Sequence, residues 1–485
     1  MSDDQIQNRK QKAESLSEQG ESPWKRSDAP PSSIDEVTDA LSSCEEGDVT
    51  EDTYETAGRI TAVREHGKSA FLDLQQENQQ IQAYIKQDRV GEEEFERFEL
   101  LDIGDIVRVQ GEGGKTRTGE PTIFARSFEV LTKSLRPLPE KWHGLKDVEK
   151  RFRKRYLDLI SNPDAMKTFQ QRFDLLAEIR QWLTDQDYRE VETPMMHPIA
   201  GGAAAEPFVT HHNTLDIDLY LRIAPELYLK RLLVGGMSKI FEINRNFRNE
   251  GISPRHNPEF TMLELYEAYG NYETMMDLTE QLIAHLARDV MESTEIEFQD
   301  QPISLEPPFR KVPYKDLFEE HTGLSWDQRE DVLDRAREYD IPVDTDDRPY
   351  GKIASELFEE LVEPELTGPV FVTDYPVAIS PFAVESPDDP EVTERFELFM
   401  CGMEVANAFT ELTDPIEQRE RLQQQIDARE EGYRELDEDF LTALEHGMPP
   451  AGGLGIGIDR LVMILTNSES IREVILFPQL RPQSD

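Results

Sequence analysis

Two runs, SKIFEINRNFR from Ser238 and PEFTMLELY from Pro258, alternate with a period of two and are joined only by the loop from Asn249 to Pro258. Period two sends successive side chains to opposite faces of a strand, and so short a loop leaves no room for a helical crossover, so the two runs must pair antiparallel. Phe241, Ile243, Arg245 and Phe247 then share one face, and Glu242, Asn244, Asn246 and Arg248 share the other. On the second strand Phe260, Met262, Glu264 and Tyr266 lie together. The runs YREVETPMM, YLRIAPELYL, RFELFM, MEVANAF and GGLGIGI read as further strands joined by hairpins or irregular loops, so an α+β region on a largely antiparallel sheet is expected over 161–485. Residues 273–365 carry helical patterns and read as an insertion beside that sheet.

Upstream the pattern differs. AGRITAVRE, SAFLDLQ, IQAYIKQ, DIVRVQGE and TIFARSFEVLT are five short alternating runs, with a helical EEEFERFELL between the third and fourth. That order matches a five-stranded oligonucleotide-binding barrel over 54–132. Residues 1–53 read as a polar helix followed by a disordered Pro, Ser and acid-rich linker, and 133–160 as a basic linker. Ser161 or Asn162 caps the next helix with Pro163 in its first turn, and Phe169, Phe173, Leu176 and Leu183 are expected to form its buried stripe, with Arg180 at the same spacing.

The chain has 485 residues, enough for two or three domains with cores of their own, and two cysteines, Cys44 and Cys401, which argues against a disulfide framework and for a reducing cytosol. No apolar run is long enough to span a bilayer, and MSDDQIQNRKQKAESL lacks the apolar segment of a signal peptide, so a soluble cytoplasmic protein with no membrane partner is expected. Its net charge of -47, from 99 acidic and 52 basic residues, weighs against nucleic acid as a partner. The stretch from Lys133 to Arg155 is the exception, with nine Lys or Arg against three acids. Lys150, Arg151, Arg153, Lys154 and Arg155 could contact an RNA backbone there, or pair with acids of the protein itself.

Three features carry chemistry. GGLGIGIDRLVMIL is a glycine-rich strand entering a helix, where a ligand can approach the backbone closely and Arg460 can meet a phosphate. In RFELFMCGMEVANAFTEL, a turn at Cys401 and Gly402 pairs Phe399 with Glu404 and sets Glu397 diagonally from Glu404 on the same face, where two carboxylates can hold a divalent ion. Strict alternation places Asn407, Phe409 and Glu411 on the face opposite Glu404, so a single site using both sets requires a bulge or strong twist.

FRNEG, RHNPEFTMLELY and GLGIGIDR together resemble motifs two and three of the class II aminoacyl-tRNA synthetases. GGAAAEPFVTHHNTLDIDLYLRIAPELYLKRLLVGG, HGLKDVEKRFRKRYLDLISNP, NAFTEL and NSESIREVILFPQLRP narrow the resemblance to the lysyl-tRNA synthetases of subclass IIb, over about 56–482. The resemblance implies a class II catalytic domain flanked by helices, joined to an anticodon-binding barrel, in a cytoplasmic homodimer built around the helix from Asn162 to Leu183 and the strand after it. It further implies activation of L-lysine with ATP and transfer of the lysyl group to tRNA(Lys). For ATP it implies Arg248, Glu250, His256, Phe260 and Arg460, with Arg248 and Arg460 catalytic, and for Mg2+ Glu397 and Glu404. For lysine it implies Glu264, Glu411 and Tyr266 at the side-chain ammonium, Asn407 at the carboxylate, Phe409 along the stem, and Gly202 and Glu226 at the α-amino group. Arg64, Phe71, Gln82 and Glu120 resemble the anticodon-reading set. A paralogue that joins lysine to a translation factor would lack the barrel, and a decayed, non-catalytic RNA-binding relative would have lost Arg248, Glu397, Glu404 or Arg460; the barrel pattern and all four residues are present.

Overall fold

The computed structural model describes residues 3–26, 29–139, 147–343, 349–427 and 435–482, which divide into two compact units meeting between Lys167 and Thr168.

In the first unit, helix α1 (Asp3–Glu18) and helix α2 (Ile34–Ala40) precede a closed barrel. The barrel strands are β1 (Val49–His66), β2 (Ser69–Gln76) and β3 (Gln79–Lys86), then β4 (Ile106–Lys115) and β5 (Pro121–Thr132), hydrogen-bonded in the order β1-β2-β3-β5-β4. Helices α3 (Gln87–Val90) and α4 (Glu92–Phe98) fill the connection from β3 to β4. Alternation sorts the side chains: Ala70, Leu72 and Leu74 of β2 and Ile81, Ala83 and Ile85 of β3 are buried, so their neighbours in sequence face outward.

The expected disordered linker is a correction. Ser33 and Glu36 form a reciprocal capping box on α2, and Ile34, Val37 and Leu41 are buried in the barrel's apolar cluster. Two satisfied backbone donors and three buried side chains offset the entropy of ordering this segment. The unit ends with α5 (Val148–Arg153) and α6 (Arg155–Ser161), where Asp158 pairs with both Arg151 and Arg155 at 2.7 Å. Arg155 is 1% exposed, so it is a structural cation here and no candidate for an RNA contact; Lys150 and Lys154 remain exposed. Lys141 and Lys146 of the basic stretch lie outside the described residues.

Helix α7 (Pro163–Asp185) leads into the second unit. Its buried residues are Ala165, Phe169, Arg172, Leu175, Ile179 and Leu183, whereas Phe173 is 51% exposed. The expected stripe was therefore rotated, because runs stepping by three or four from Phe169 fit two neighbouring faces of a helix and the sequence alone does not choose between them.

Next come β6 (Arg189–Glu190), β7 (Met196–His197), β8 (Val209–His212) and β9 (Ile217–Leu221), then helix α8 (Glu226–Val234). The expected strand YLRIAPELYL thus ends at Leu221, and its second half is helical, with Glu226 in the first turn after Pro225. The chain continues with β10 (Lys239–Phe247) and β11 (Glu259–Ala268), followed by helix α9 (Tyr272–Asp289) and the hairpin β12 (Glu295–Phe298) and β13 (Gln301–Ser304). After β14 (Arg310–Pro313) come helices α10 (Tyr314–Thr322), α11 (Arg329–Glu338) and α12 (Tyr350–Leu361). The chain closes with β15 (Val370–Thr373), β16 (Arg395–Met400), β17 (Met403–Thr410), α13 (Pro415–Asp427), α14 (Glu438–Glu445), β18 (Ala451–Gly457), α15 (Ile458–Leu465) and α16 (Ile471–Val474).

Eight strands form one sheet in the order β14-β15-β16-β17-β18-β11-β10-β6, antiparallel except at its two outermost pairs. Residues 273–365 are not simply an insertion: α9 buries Met275, Met276, Leu282, Ile283 and Leu286 in the main core, and β14 extends the sheet. Helices α10 to α12 form a separate cluster around Tyr314, Phe318 and Phe358.

In the barrel unit, the Lys133 ammonium lies 2.7 Å from Asp105 and 2.5 Å from Asp102, and the side chains of Lys133 and Asp105 are fully buried. Lys133→Met should destabilise the barrel unit by about 3–5 kcal/mol, because the fully buried Asp105 loses its ion-pair partner while Asp102 keeps Lys12. Denaturant unfolding of the isolated variant checks this, with a change below about 1 kcal/mol counting against it.

Candidate functional site

The site is a row of side chains running across one face of the large sheet. Glu242 faces Glu264 across β10 and β11, Glu264 faces Gly455 of β18, Gly455 faces Asn407 of β17, and Asn407 faces Glu397 of β16. Tyr266, Gly453, Phe409 and Arg395 form the adjacent row in the same way. Directly opposed residues share a face, so four strands contribute polar groups to one floor.

The bulge required by the sequence is present. Leu398 pairs with Ala406 while Phe399 pairs with Glu404, so Val405 is the extra residue and Glu404 returns to the face of Asn407. The turn is made by Cys401 and Gly402, both at positive φ. Glu397, Glu404, Asn407 and Phe409 accordingly line one cavity of about 620 Å³, together with Gly202, Glu226, Arg248, Glu264 and Tyr266.

Glycines keep this floor open. A Cβ on Gly453 would lie 2.0 Å from Glu411 Oε1 and 2.6 Å from Tyr266, and one on Gly455 would lie 2.4 Å from the Met262 methyl. Gly202, at φ +90°, sets its backbone beside Ala224 and Glu226.

Burial governs the electrostatics. Glu242 pairs with Arg222 at 2.7 Å, and Glu397 accepts from Arg395 at 2.6 Å and from the Tyr375 hydroxyl at 2.8 Å. Lys230 of α8, which sequence reasoning missed, reaches Glu226 at 2.6 Å and Glu411 at 2.5 Å, with its ammonium over the rings of Phe382 and Phe409. Glu411 is therefore held by an internal cation. Glu264 has no ion-pair partner among the described residues and keeps one oxygen without a hydrogen bond; burial first, then the nearby Glu226, pushes its carboxyl up to about 8. Burial, and then the acids around it, raises the Tyr266 hydroxyl, so it stays protonated and hydrogen-bonds Glu264.

A second cavity of about 110 Å³ shares Arg248, Met262, Glu404 and Gly455 with the first and is lined further by Glu250, His256, Phe260 and Arg460. The Arg248 guanidinium lies over the Phe260 ring at 5.1 Å, and its buried Nε has no hydrogen-bond partner. Arg460 donates to the Glu404 carbonyl at 2.7 Å and meets His256 Nε2 at 3.0 Å. Burial, followed by Arg460 and Arg248, lowers the His256 pKa, which keeps the imidazole neutral. Asp459, at the start of α15, accepts from the Thr261 N–H and pairs with Arg172 at 2.7 Å, fixing α15 to β11 and so aiming Arg460.

Glu397 and Glu404 stand close enough to repel: burial, moderated by Arg395 and reinforced by Glu404, pushes the Glu397 carboxyl up to about 7. Among the described residues no set of three or more His, Cys, Asp or Glu side chains is arranged around a metal position. Two carboxylates lining the same cavity fit magnesium, which takes one or two protein oxygens and completes its shell with phosphate and water.

On the barrel, Phe71 is half-buried on the outer surface and stacks against Tyr84 with centroids 4.6 Å apart, while Tyr84 meets Phe124 edge-on at 5.9 Å. Tyr84 and Phe124 were missed, although both alternate with buried residues in IQAYIKQ and TIFARS. Arg64 forms a bidentate pair with Asp73 at 2.6 and 2.7 Å, Gln82 accepts from the Thr122 hydroxyl at 3.2 Å, and Glu120 is exposed in the loop before β5.

Residues 147–481 match the family model of class II tRNA synthetases (D, K and N), and residues 54–131 match that of the OB-fold nucleic acid binding domain. A lysine–tRNA ligase of Carboxydothermus hydrogenoformans is 56% identical over 437 residues, covering 89% of each chain. One from Halalkalibacterium halodurans is 52% identical, covering 98% of this chain and 96% of that one, and one from Bacillus subtilis is 50% identical, covering 99% and 97%.

Glu264 couples this site to stability. Its carboxyl is protonated in the ligand-free fold up to about pH 8, whereas in the unfolded chain it ionises near the ordinary value, so it contributes a loss of stability that grows as pH rises from about 4.5 to 8. Ligand-free Glu264→Gln should therefore be more stable than the parent protein at pH 9, by on the order of 2–5 kcal/mol, with little difference at pH 4.5. Melting curves across that range check it, and a pH-independent difference would contradict it.

Proposed function

The chain belongs to the lysine–tRNA ligase family of class II tRNA synthetases, and from that membership we propose how its two joined cavities divide the work. The reaction is activation of L-lysine with ATP to lysyl-adenylate and pyrophosphate, followed by transfer of the lysyl group to the 3′ end of tRNA(Lys). The observation that carries the substrate choice is Glu264, a buried acid beside the Tyr266 hydroxyl that lacks a cation of its own. A lysine side chain supplies that cation, and an acidic or amide side chain does not.

The larger cavity takes lysine. Glu264 and Tyr266 meet the side-chain ammonium, with Glu411 behind them; Phe409 packs the stem, Asn407 receives the carboxylate, and Glu226 with the Gly202 backbone takes the α-amino group. The smaller cavity takes ATP, with adenine between Phe260 and Arg460, its amino group at Glu250, and His256 on the triphosphate. Arg248 lines both cavities, which supports its role of holding the lysine carboxylate and the α-phosphate together for in-line attack and countering the charge that develops there. Glu397 and Glu404 would hold Mg2+, whose chemistry there is to screen the polyphosphate.

Phe71 with Tyr84 offers a stacking surface for an unpaired anticodon base, and Gln82, Glu120 and Arg64 surround it with edge-reading groups. We propose a homodimer on the strength of exposed apolar side chains on α7 and the β7 to β9 ribbon, including Phe173, Met196, Val209 and Leu215. No helix among the described residues is long and apolar enough to cross a membrane, and a cytoplasmic location accords with the reaction.

ATP–pyrophosphate exchange with each of the twenty amino acids, followed by charging of total tRNA, tests the assignment: lysine should dominate both. Glu264→Gln should cost about 2–4 kcal/mol in lysine activation and leave ATP binding in place; unchanged lysine-dependent exchange would remove Glu264 from the pocket. Phe71→Ala should weaken the use of tRNA by about 1–3 kcal/mol while adenylate formation persists. Equal loss in both assays with a lowered melting temperature would make Phe71 a packing residue only.

A further inference from the structure

Lys230 sits where a lysine-binding pocket has least need of another ammonium. It is fully buried, its Nζ lies 2.6 Å from Glu226 and 2.5 Å from Glu411, and the rings of Phe382 and Phe409 cover it at 4.6 and 5.5 Å. Both carboxylates belong to the set that would receive substrate. Burying so long a cation costs several kcal/mol unless its pairing is close, and a Leu or Met would fill the same volume on α8. The geometry thus calls for an electrostatic reason.

We propose that Lys230 is a specificity-determining residue that sets the charge of the amino-acid pocket to match a diamino acid. Glu226, Glu264 and Glu411 are three acids, and among the described residues Lys230 is the one cation ion-paired with them, which leaves a net charge of minus two when all are ionised. That equals the two ammonium groups of lysine, whose carboxylate is met by Arg248. Lys230 uses one oxygen of Glu226 and one of Glu411, and Glu411 Oε1 lies against Tyr266 in the space that Gly453 leaves open. The other charged and titratable groups facing the cluster are Tyr266, Arg248, the Arg222–Glu242 pair and Arg395 beside Glu226.

The titration behaviour agrees. Burial raises Glu226 and pushes Glu411 up to about 8, and Lys230 opposes both shifts; against its own desolvation, the two acids hold the Lys230 ammonium above its ordinary pKa. Two carboxylates sharing one ammonium keep that ammonium charged. Removing it would push both acids further up, so at neutral pH they would ionise less readily to meet the ammonium groups of the substrate.

The inference rests on the lysine-activating reading, and exchange kinetics with the full chain test it. Glu411→Gln should raise KM for lysine at least tenfold, because the pocket keeps Lys230 but loses an acid. Adding Lys230→Met to that variant restores the net charge and should lower KM for lysine by threefold or more relative to Glu411→Gln alone, with KM for ATP unchanged in both. Lys230→Met alone should raise KM for lysine at pH 7, with the defect shrinking between pH 7 and 9 as the acids ionise. If that single variant does not fold, the comparison of Glu411→Gln with the double variant still decides. A residue that merely props Glu411 gives no rescue in the double variant, and that result, in a preparation whose parent protein activates lysine, would overturn the inference alone. A parent protein that does not activate lysine would overturn the functional reading instead.

Discussion

A carboxylate leaves water at a cost of several kcal/mol unless a cation leaves with it, and the catalytic unit is arranged around that constraint. All but one of its buried acids come with a cationic partner: Glu242 with Arg222, Asp459 with Arg172, and Glu226 and Glu411 with Lys230; the partly buried Glu397 is held by Arg395. Each pair also fixes a piece of the fold. Arg172 and Asp459 tie α7 to α15, and Lys230 ties α8 to the end of β17. The exception, Glu264, lies in the middle of the floor, where the side-chain ammonium proposed for it would complete what the fold leaves open. Ligand recognition and structural economy are one electrostatic problem here, solved for every buried acid of the floor but one.

Room for that cation comes from the neighbouring strand. Strand β18 lies between β11 and β17 and contributes Gly453 and Gly455 at the rows where its neighbours carry Tyr266, Glu264, Phe409 and Asn407. A side chain at Gly453 would displace Glu411 and Tyr266 together, so a glycine is required by what surrounds it. The bulge at Val405 works in the same direction, since it brings Glu404 back beside Asn407 and lets one face serve both cavities. Without that extra residue the acid proposed for the metal would point away from the groups proposed for lysine.

Much of this was legible in the residues. The period of two places Glu264 and Tyr266 on one face, and the conflict between Glu404 and Asn407 under strict alternation shows the need for a bulge from the residues alone. Lys230 was not legible, because YLRIAPELYL reads as a strand and nothing around the lysine that follows it points to Glu411, 181 residues later. The face of α7 failed for a different reason: Phe169 begins two stepping patterns, and only the packed core prefers Leu175 and Ile179 to Phe173. In the connector before the barrel, the S-x-x-E signature of Ser33 and Glu36 was present but lay in a stretch whose composition suggested no structure.

The net charge of -47 would make a polyanion a poor partner if binding relied on long-range attraction. The interactions available to this protein are of other kinds. Stacking on Phe71 and Tyr84 depends on contact and not on field, and the ion pairs of the amino-acid pocket are buried and beyond the reach of mobile ions. Repulsion between exposed acids and a nucleic acid, by contrast, acts through solvent, and its range falls from about 8 Å at physiological ionic strength to about 3 Å at 1 M. Salt therefore shortens the range of the unfavourable part of the encounter and leaves stacking, which acts at contact, largely unscreened.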